Sequence, residues 1–121
     1  PLPGVLDQAR HLSQHGATID VLTDPAKAVA GAQAVYTDVW ASMGQEQEQT
    51  QREQAFSGFC VDRALMDQAA PGAIVLHCLP AHRGEEISAE VMEGNASRIF
   101  NQAENRLHAQ QALLAAVMGG L

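Results

Sequence analysis

Ala73-Ile74-Val75-Leu76-His77-Cys78-Leu79-Pro80-Ala81-His82-Arg83-Gly84 is the stretch that decides the fold. Its first half is short, apolar and β-branched, and Pro71-Gly72 sets it off on the amino-terminal side. That pattern predicts a buried strand over 73–77. Directly behind it come His77, Cys78, His82 and Arg83. In an open α/β sheet, ligands bind at the carboxyl ends of the strands. A thiol and an imidazole at such an end point to chemistry rather than packing. The thiol would act as base or nucleophile if His77, His82 or Arg83 lowered its pKa. Two other readings compete: an inert buried cysteine, and a zinc site of Cys78, His82, His77 and the distant Cys60. The spacing fits no common structural zinc pattern.

Working outward from this strand, the rest of the chain alternates. Residues 5–15 place Val5, Leu6, Ala9 and Leu12 at helical spacing, with Gly16 as a stop. Residues 17–22 predict a short strand. Thr23-Asp24-Pro25 is a capped start for a helix ended by Gly31. Ala34-Val35-Tyr36-Thr37 predicts a second strand, and the Gln/Glu-rich segment 46–56 a solvated helix. Asp62 caps a short helix to Ala69, and Ser88 caps one that stops at Gly94. Arg98-Ile99-Phe100-Asn101 predicts a last strand, and 104–118 the longest helix, with Leu107, Leu113, Leu114, Val117 and Met118 as its apolar stripe. Alternation with short connections predicts an α/β fold: a Rossmann-like three-layer domain with a parallel sheet of about four strands and six helices.

The length of 121 residues predicts one domain, large enough for a real core. No apolar run reaches the length of a membrane span. The chain opens on Pro1 without an initiator Met or a signal-peptide pattern, which suggests a processed chain or a fragment. Seven Lys and Arg against fourteen Asp and Glu give a formal charge of -7. That argues against nucleic acid as a partner, but not against a small anionic substrate. Two cysteines make a poor disulfide framework, so a reducing, intracellular location is expected.

Two more strand ends carry chemistry. Asp38-Val39-Trp40-Ala41-Ser42-Met43-Gly44 follows the strand 34–37. A carboxylate there can bind an ammonium group, and Gly44 lets a loop close. The alternative is that Asp38 caps a turn while Trp40 and Met43 fill the core. Gln102-Ala103-Glu104-Asn105-Arg106 lies between the last strand and the last helix as read here. Arg106 can bind an oxyanion there; the alternative is a surface arginine paired with Glu104. His11, His15 and His108 read as ordinary helix residues, and Arg10, Arg52, Arg63 and Arg98 as solvated. No GxGxxG, Walker loop, HExxH or GxSxG is present.

Taken together, Asp38-Val39-Trp40-Ala41-Ser42-Met43-Gly44, His77-Cys78-Leu79-Pro80 and Glu104-Asn105-Arg106 resemble, in order, the three signature segments of the ornithine carbamoyltransferase family. Gly44-Gln45-Glu46, Gly84-Glu85-Glu86-Ile87 and Phe100-Asn101-Gln102-Ala103 agree as flanks. The Ser-Met-Gly loop with His-Cys-Leu-Pro separates this family from aspartate carbamoyltransferase. The resemblance implies a two-domain, homotrimeric enzyme of arginine biosynthesis, cytoplasmic or in the mitochondrial matrix, without cofactor or metal. Residues 1–121 would be part of its ornithine-binding domain. The carbamoyl-phosphate domain would be absent, leaving this segment inactive alone. By resemblance, Asp38 binds the ornithine α-amino group and orients Cys78, while Ser42 and Met43 hold ornithine from a closing loop. Cys78 helps the δ-amine lose its proton, the Leu79 carbonyl contacts the carbamoyl NH₂, and Arg106 stabilises the carbamoyl oxygen. Competing classes are a non-catalytic binding or assembly module and a thiol or zinc site on Cys78.

Overall fold

A computed structural model of the chain describes residues 4–13, 16–41 and 49–119. The elements run α1 (Val5–Leu12), α2 (Pro25–Val29), β1 (Ala34–Thr37), α3 (Gln49–Phe56), α4 (Arg63–Met66), β2 (Ile74–His77), α5 (Ala89–Gly94) and α6 (Ala96–Val117). The fold is α/β with a parallel sheet, as the alternation predicts. Capping fixes three helix starts. The Asp24 carboxylate accepts from the Ala26 and Lys27 amides, Asp62 from the Leu65 amide, and the Ser88 hydroxyl from the Val91 amide. Each contact satisfies amides that the first helical turn leaves free.

Among the described residues the sheet has two strands, not four. β1 and β2 pair in parallel, with Ala34 opposite Ile74 and Thr37 opposite His77. The strand expected over 17–22 is absent. Its carbonyls are engaged by side chains of α1 and of the residue that ends it instead: Ser13 Oγ donates to Ala17 O at 2.6 Å and Arg10 Nε to Ile19 O at 3.1 Å. Val21 and Leu22 stay half exposed, so no apolar face draws the segment onto a neighbour. The strand expected over 98–101 is also absent, because α6 starts at Ala96. Asn95, Ile99 and Gln102 recur at helical spacing toward β2. Ile99 is fully buried while Phe100 is 55% exposed. α1 ends at Leu12, ahead of the expected stop, with Gly16 in the left-handed region at φ 76°. α3 is described from Gln49, and Glu46, Gln47 and Glu48 lie outside the described residues.

The core consists of Val29, Val35, Val61, Val75, Ile87, Val91, Met92 and Ile99. It joins α2, both strands, α5 and α6. Val61 also pins the turn after the opening stretch. Its amide donates to Glu86 O at 2.8 Å, and its carbonyl accepts from the Ser88 amide at 3.1 Å. The polar outcome of this packing is that Glu86 is held under the carboxyl end of β2.

Candidate active site

The strand register puts positions 38 and 78 next to one another, one residue beyond the paired Thr37 and His77. The Cys78 thiol donates to Asp38 Oδ1 at 2.9 Å, and the Val39 amide donates to the same oxygen at 2.7 Å. Both bonds fall on Oδ1, which leaves Oδ2 for a cationic ligand. The thiol bond is the main cause that lowers the Asp38 pKa. Burial opposes it, and the Val39 amide assists. For Cys78 the direction is upward: burial first, then the hydrogen bond to Asp38 and its charge. The condition under which His77, His82 or Arg83 would activate the thiol is therefore not met. Those cations are engaged elsewhere. Arg83 holds Glu93 Oε1 through Nε at 3.1 Å and through Nη2 at 2.7 Å, and His82 Nδ1 lies 3.7 Å from Glu85.

His77 is completely buried and uses both ring nitrogens. The Leu79 amide donates to Nδ1 at 2.8 Å, so Nδ1 must carry a lone pair. The proton then sits on Nε2, which donates to Glu86 Oε1 at 2.9 Å. Glu86 is equally buried, and its Oε1 also accepts from the His82 amide at 2.7 Å, while Oε2 has no partner among the described residues. The pair turns His77 into a fixed acceptor for the Leu79 amide. Leu79 has φ 57°, a left-handed conformation that a branched side chain adopts only under constraint. The result is a fixed loop with the thiol on one side and the Leu79 peptide on the other.

α6 lies along the outer edge of β2. Asn95 Oδ1 accepts from the Val75 amide at 3.1 Å, and Gln102 Oε1 from the His77 amide at 3.0 Å. Edge amides that a further strand would otherwise use are thereby satisfied. From Asn95 to Gln102 the helix advances with β2 toward its carboxyl end. Arg106 follows one turn later, about 6 Å further along the axis, on the same face as Gln102. It is exposed, and it lies well inside α6, which begins at Ala96 rather than at the expected residue 104. It is not tied to Glu104, which faces His108 at 3.9 Å. The described residues include no hydrogen bond from Arg106 to Cys78.

Ser42 and Met43 lie outside the described residues. Trp40 stacks on Phe56 with centroids 6.3 Å apart, and Phe56 meets Phe59 edge-on. With Leu22, Leu65 and Asp38, these rings line a cleft of about 360 Å³. A larger cleft of about 520 Å³ opens at Gly72 and Ala73, the amino end of β2, away from the thiol. Arg52 is half-buried and donates to Trp40 O at 3.4 Å, so it is not the solvated residue expected. The zinc set of Cys60, His77, Cys78 and His82 is not assembled. Among the described residues the group with metal-capable atoms in reach of one another is His82, Glu85 and Glu86. Both thiols are free.

The model of the aspartate/ornithine carbamoyltransferase Asp/Orn-binding domain matches residues 1–117. The chain belongs to this family. It is 77% identical over all 121 residues to an ornithine carbamoyltransferase of Parasynechococcus marenigrum, of which it covers 38%. A crystal structure of ornithine carbamoyltransferase from Thermus thermophilus aligns with a TM-score of 0.76 at 40% identity, covering 96% of this chain and 35% of that one. The Giardia lamblia ornithine transcarbamoylase structure aligns at 0.78 with 34% identity, covering 94% and 36%. The chain thus spans well under half the length of these relatives.

Sequence reasoning did not assign roles to Glu86, Gln102 or Tyr36. Gln102 left a signal, its helical spacing from Asn95 and Ile99. Glu86 left none beyond its place in a flank of the family pattern, since a glutamate in a Gly-Glu-Glu turn reads as solvated.

Proposed function

We propose that this chain is the ornithine-binding part of an ornithine carbamoyltransferase. The enzyme transfers the carbamoyl group of carbamoyl phosphate to the δ-amino group of L-ornithine. The δ-nitrogen attacks the carbamoyl carbon, the bond from that carbon to the phosphate oxygen breaks, and citrulline and phosphate leave. Residues 1–121 supply part of the ornithine domain, and protein outside this segment supplies the carbamoyl-phosphate side. The reading extends to a cytoplasmic homotrimer acting in arginine biosynthesis.

The observation that carries the proposal is the Cys78–Asp38 hydrogen bond across the ends of two adjacent strands. Asp38 takes the ornithine α-ammonium on Oδ2 while Oδ1 orients the thiol. Ser42 and Met43 hold the rest of ornithine. The δ-amine must be neutral to attack. An alkyl ammonium ordinarily titrates near about 10.4, so a thiol pushed upward approaches it in proton affinity. Once the thiol has given its own proton to solvent, the thiolate takes the ammonium proton at small free-energy cost and leaves the δ-amine neutral. The Leu79 carbonyl takes the carbamoyl NH₂, and Arg106, one turn beyond the anchored Gln102, stabilises the oxyanion of the tetrahedral intermediate.

The test is citrulline formation by the full-length protein from ornithine and carbamoyl phosphate. Cys78→Ala is expected to reduce turnover far more than stability. No citrulline from a folded wild-type protein that still binds ornithine would overturn the transferase reading and leave a binding module.

A further inference from the structure

Tyr36 lies beyond the bond between Asp38 and Cys78. It shares a face of β1 with Asp38, two residues on, and pairs with Leu76, two residues before Cys78. Its hydroxyl meets Gln102 Nε2 at 2.9 Å. The orientation of that amide follows from its other contact. The His77 backbone N–H can only donate, so it faces Gln102 Oε1. The NH₂ group of Gln102 therefore faces Tyr36 and donates to its oxygen. With that oxygen engaged as an acceptor, the Tyr36 hydrogen is free to point elsewhere.

We propose that Tyr36 and Gln102 set the proton balance of Cys78, with Gln102 turning the Tyr36 hydroxyl so that its hydrogen is donated to the sulfur. A donor at the sulfur favours the thiolate. Asp38 on the other side favours the thiol. The geometry places the hydroxyl near the thiol: Gln102 joins it to the His77 amide, the residue before Cys78, and the influence of Tyr36 on the Cys78 pKa is downward, against burial and Asp38. The charged or titratable groups around the thiol are Asp38 and Tyr36 from β1 and the loop after it, and His77 from β2. His77 turns its ring nitrogens to Leu79 and Glu86 instead. Gln102 and Tyr36 are positioning residues: one grips the β2 backbone beside the thiol, the other passes that grip to the sulfur. The same glutamine ties α6, and with it Arg106, to the strand that carries Cys78.

This inference rests on the reading of Cys78 as the proton-handling group, but its test needs no turnover. Iodoacetamide labelling of Cys78 in the full-length protein is followed against pH by mass spectrometry of the peptide that contains it. Tyr36→Phe is expected to raise the labelling midpoint by about 0.5 to 1 pH unit, the worth of one hydrogen bond. Gln102→Glu still accepts from the His77 amide, but its carboxylate takes the tyrosine hydrogen. It is expected to raise the midpoint by a similar amount. In the Tyr36→Phe background, Gln102→Glu is expected to add nothing further. An unchanged midpoint in folded Tyr36→Phe overturns the proposal. So does a Gln102→Glu shift that persists undiminished in the Tyr36→Phe background, since charge alone would then explain it. Tyr36 is 58% exposed, so loss of its hydroxyl leaves the fold intact. The expected shifts in a wild-type background that makes no citrulline would keep this relay and overturn the transferase reading.

Discussion

Replacing Glu86 by Leu removes the acceptor that holds His77, and the structure allows its cost to be worked out. Oε1 takes the His77 Nε2 proton at 2.9 Å and the His82 amide at 2.7 Å. Leucine fills most of the same volume, so the cavity contribution is small. The loss is two N–H groups left without an acceptor, at about 1–3 kcal/mol each. His77 is fully buried and belongs at the upper end. His82 is exposed, so water can reach its amide and its share falls to the lower end. Against this, a buried carboxyl group with one unpartnered oxygen is removed, which recovers about 1 kcal/mol. The net expectation is a loss of about 2–3 kcal/mol. At about 4 °C per kcal/mol for a chain of this size, the midpoint of thermal unfolding falls by about 8–12 °C. Glu86→Gln keeps an acceptor oxygen and should lose about 1 kcal/mol or less. Unfolding is read by far-UV circular dichroism and by Trp40, the chain's single tryptophan. A Glu86→Leu protein as stable as the wild type would refute the reasoning, because the carboxyl burial would then outweigh both hydrogen bonds.

Other expectations follow from the same geometry. Asp38→Asn removes the charge that opposes the thiolate, so the Cys78 labelling midpoint should fall, opposite in sign to Tyr36→Phe; a rise would break the assignment. In the transfer assay Asp38→Ala should raise the ornithine KM more than the carbamoyl-phosphate KM, and normal ornithine saturation would count against Oδ2 as its anchor. The raised thiol contributes stability below its unfolded value of about 8.5 and loses it as pH rises through the folded value. Urea midpoints should therefore decline above that pH in the wild type and decline less in Cys78→Ser. Ile99→Ala should cost about 2–5 kcal/mol as a buried side chain, while Phe100→Ala should change stability little; equal costs would contradict a helix over 98–101.

The parts of the fold legible in the sequence are those set by local chemistry. Asp24, Asp62 and Ser88 cap the helices that follow them because a side-chain oxygen two or three residues ahead is all a cap requires. β1 and β2 were legible because short β-branched runs between turn residues have few other fates. The two strands that failed depended on tertiary partners. Residues 17–22 have the composition of a strand, yet Arg10 and Ser13 occupy their carbonyls. Residues 98–101 have β-propensity, yet Asn95 and Gln102 bind the β2 edge only if the segment between them is helical. The site divides in the same way. Cys78 and Asp38 stand out in the sequence because reactive side chains at strand ends are conspicuous, and the structure brings the two into contact. The direction of the thiol shift is not legible in the sequence, since nothing there says that Arg83 turns to Glu93 and His77 to Glu86. Ser42 and Met43 remain readings by resemblance.

The register of the two strands is what makes the site possible. Side chains alternate between the faces of a strand. Thr37 opposite His77 puts Asp38 and Cys78 on one face with Tyr36 and Leu76. A slip of one residue would send the carboxylate and the thiol to opposite faces. The buried His77–Glu86 pair sits on the other side of that alternation, one residue from the thiol, and locks the loop that follows. The dry side of β2 thus holds the geometry, and the wet side presents the Asp38–Cys78 pair. A thiol on that wet side, raised by burial and Asp38 and lowered by Tyr36, is balanced between two hydrogen-bonding partners. In the proposed transfer such a balance suits a group that exchanges a proton with an amine, rather than one that attacks as a permanent thiolate. A nucleophilic cysteine would be expected to have the opposite shift.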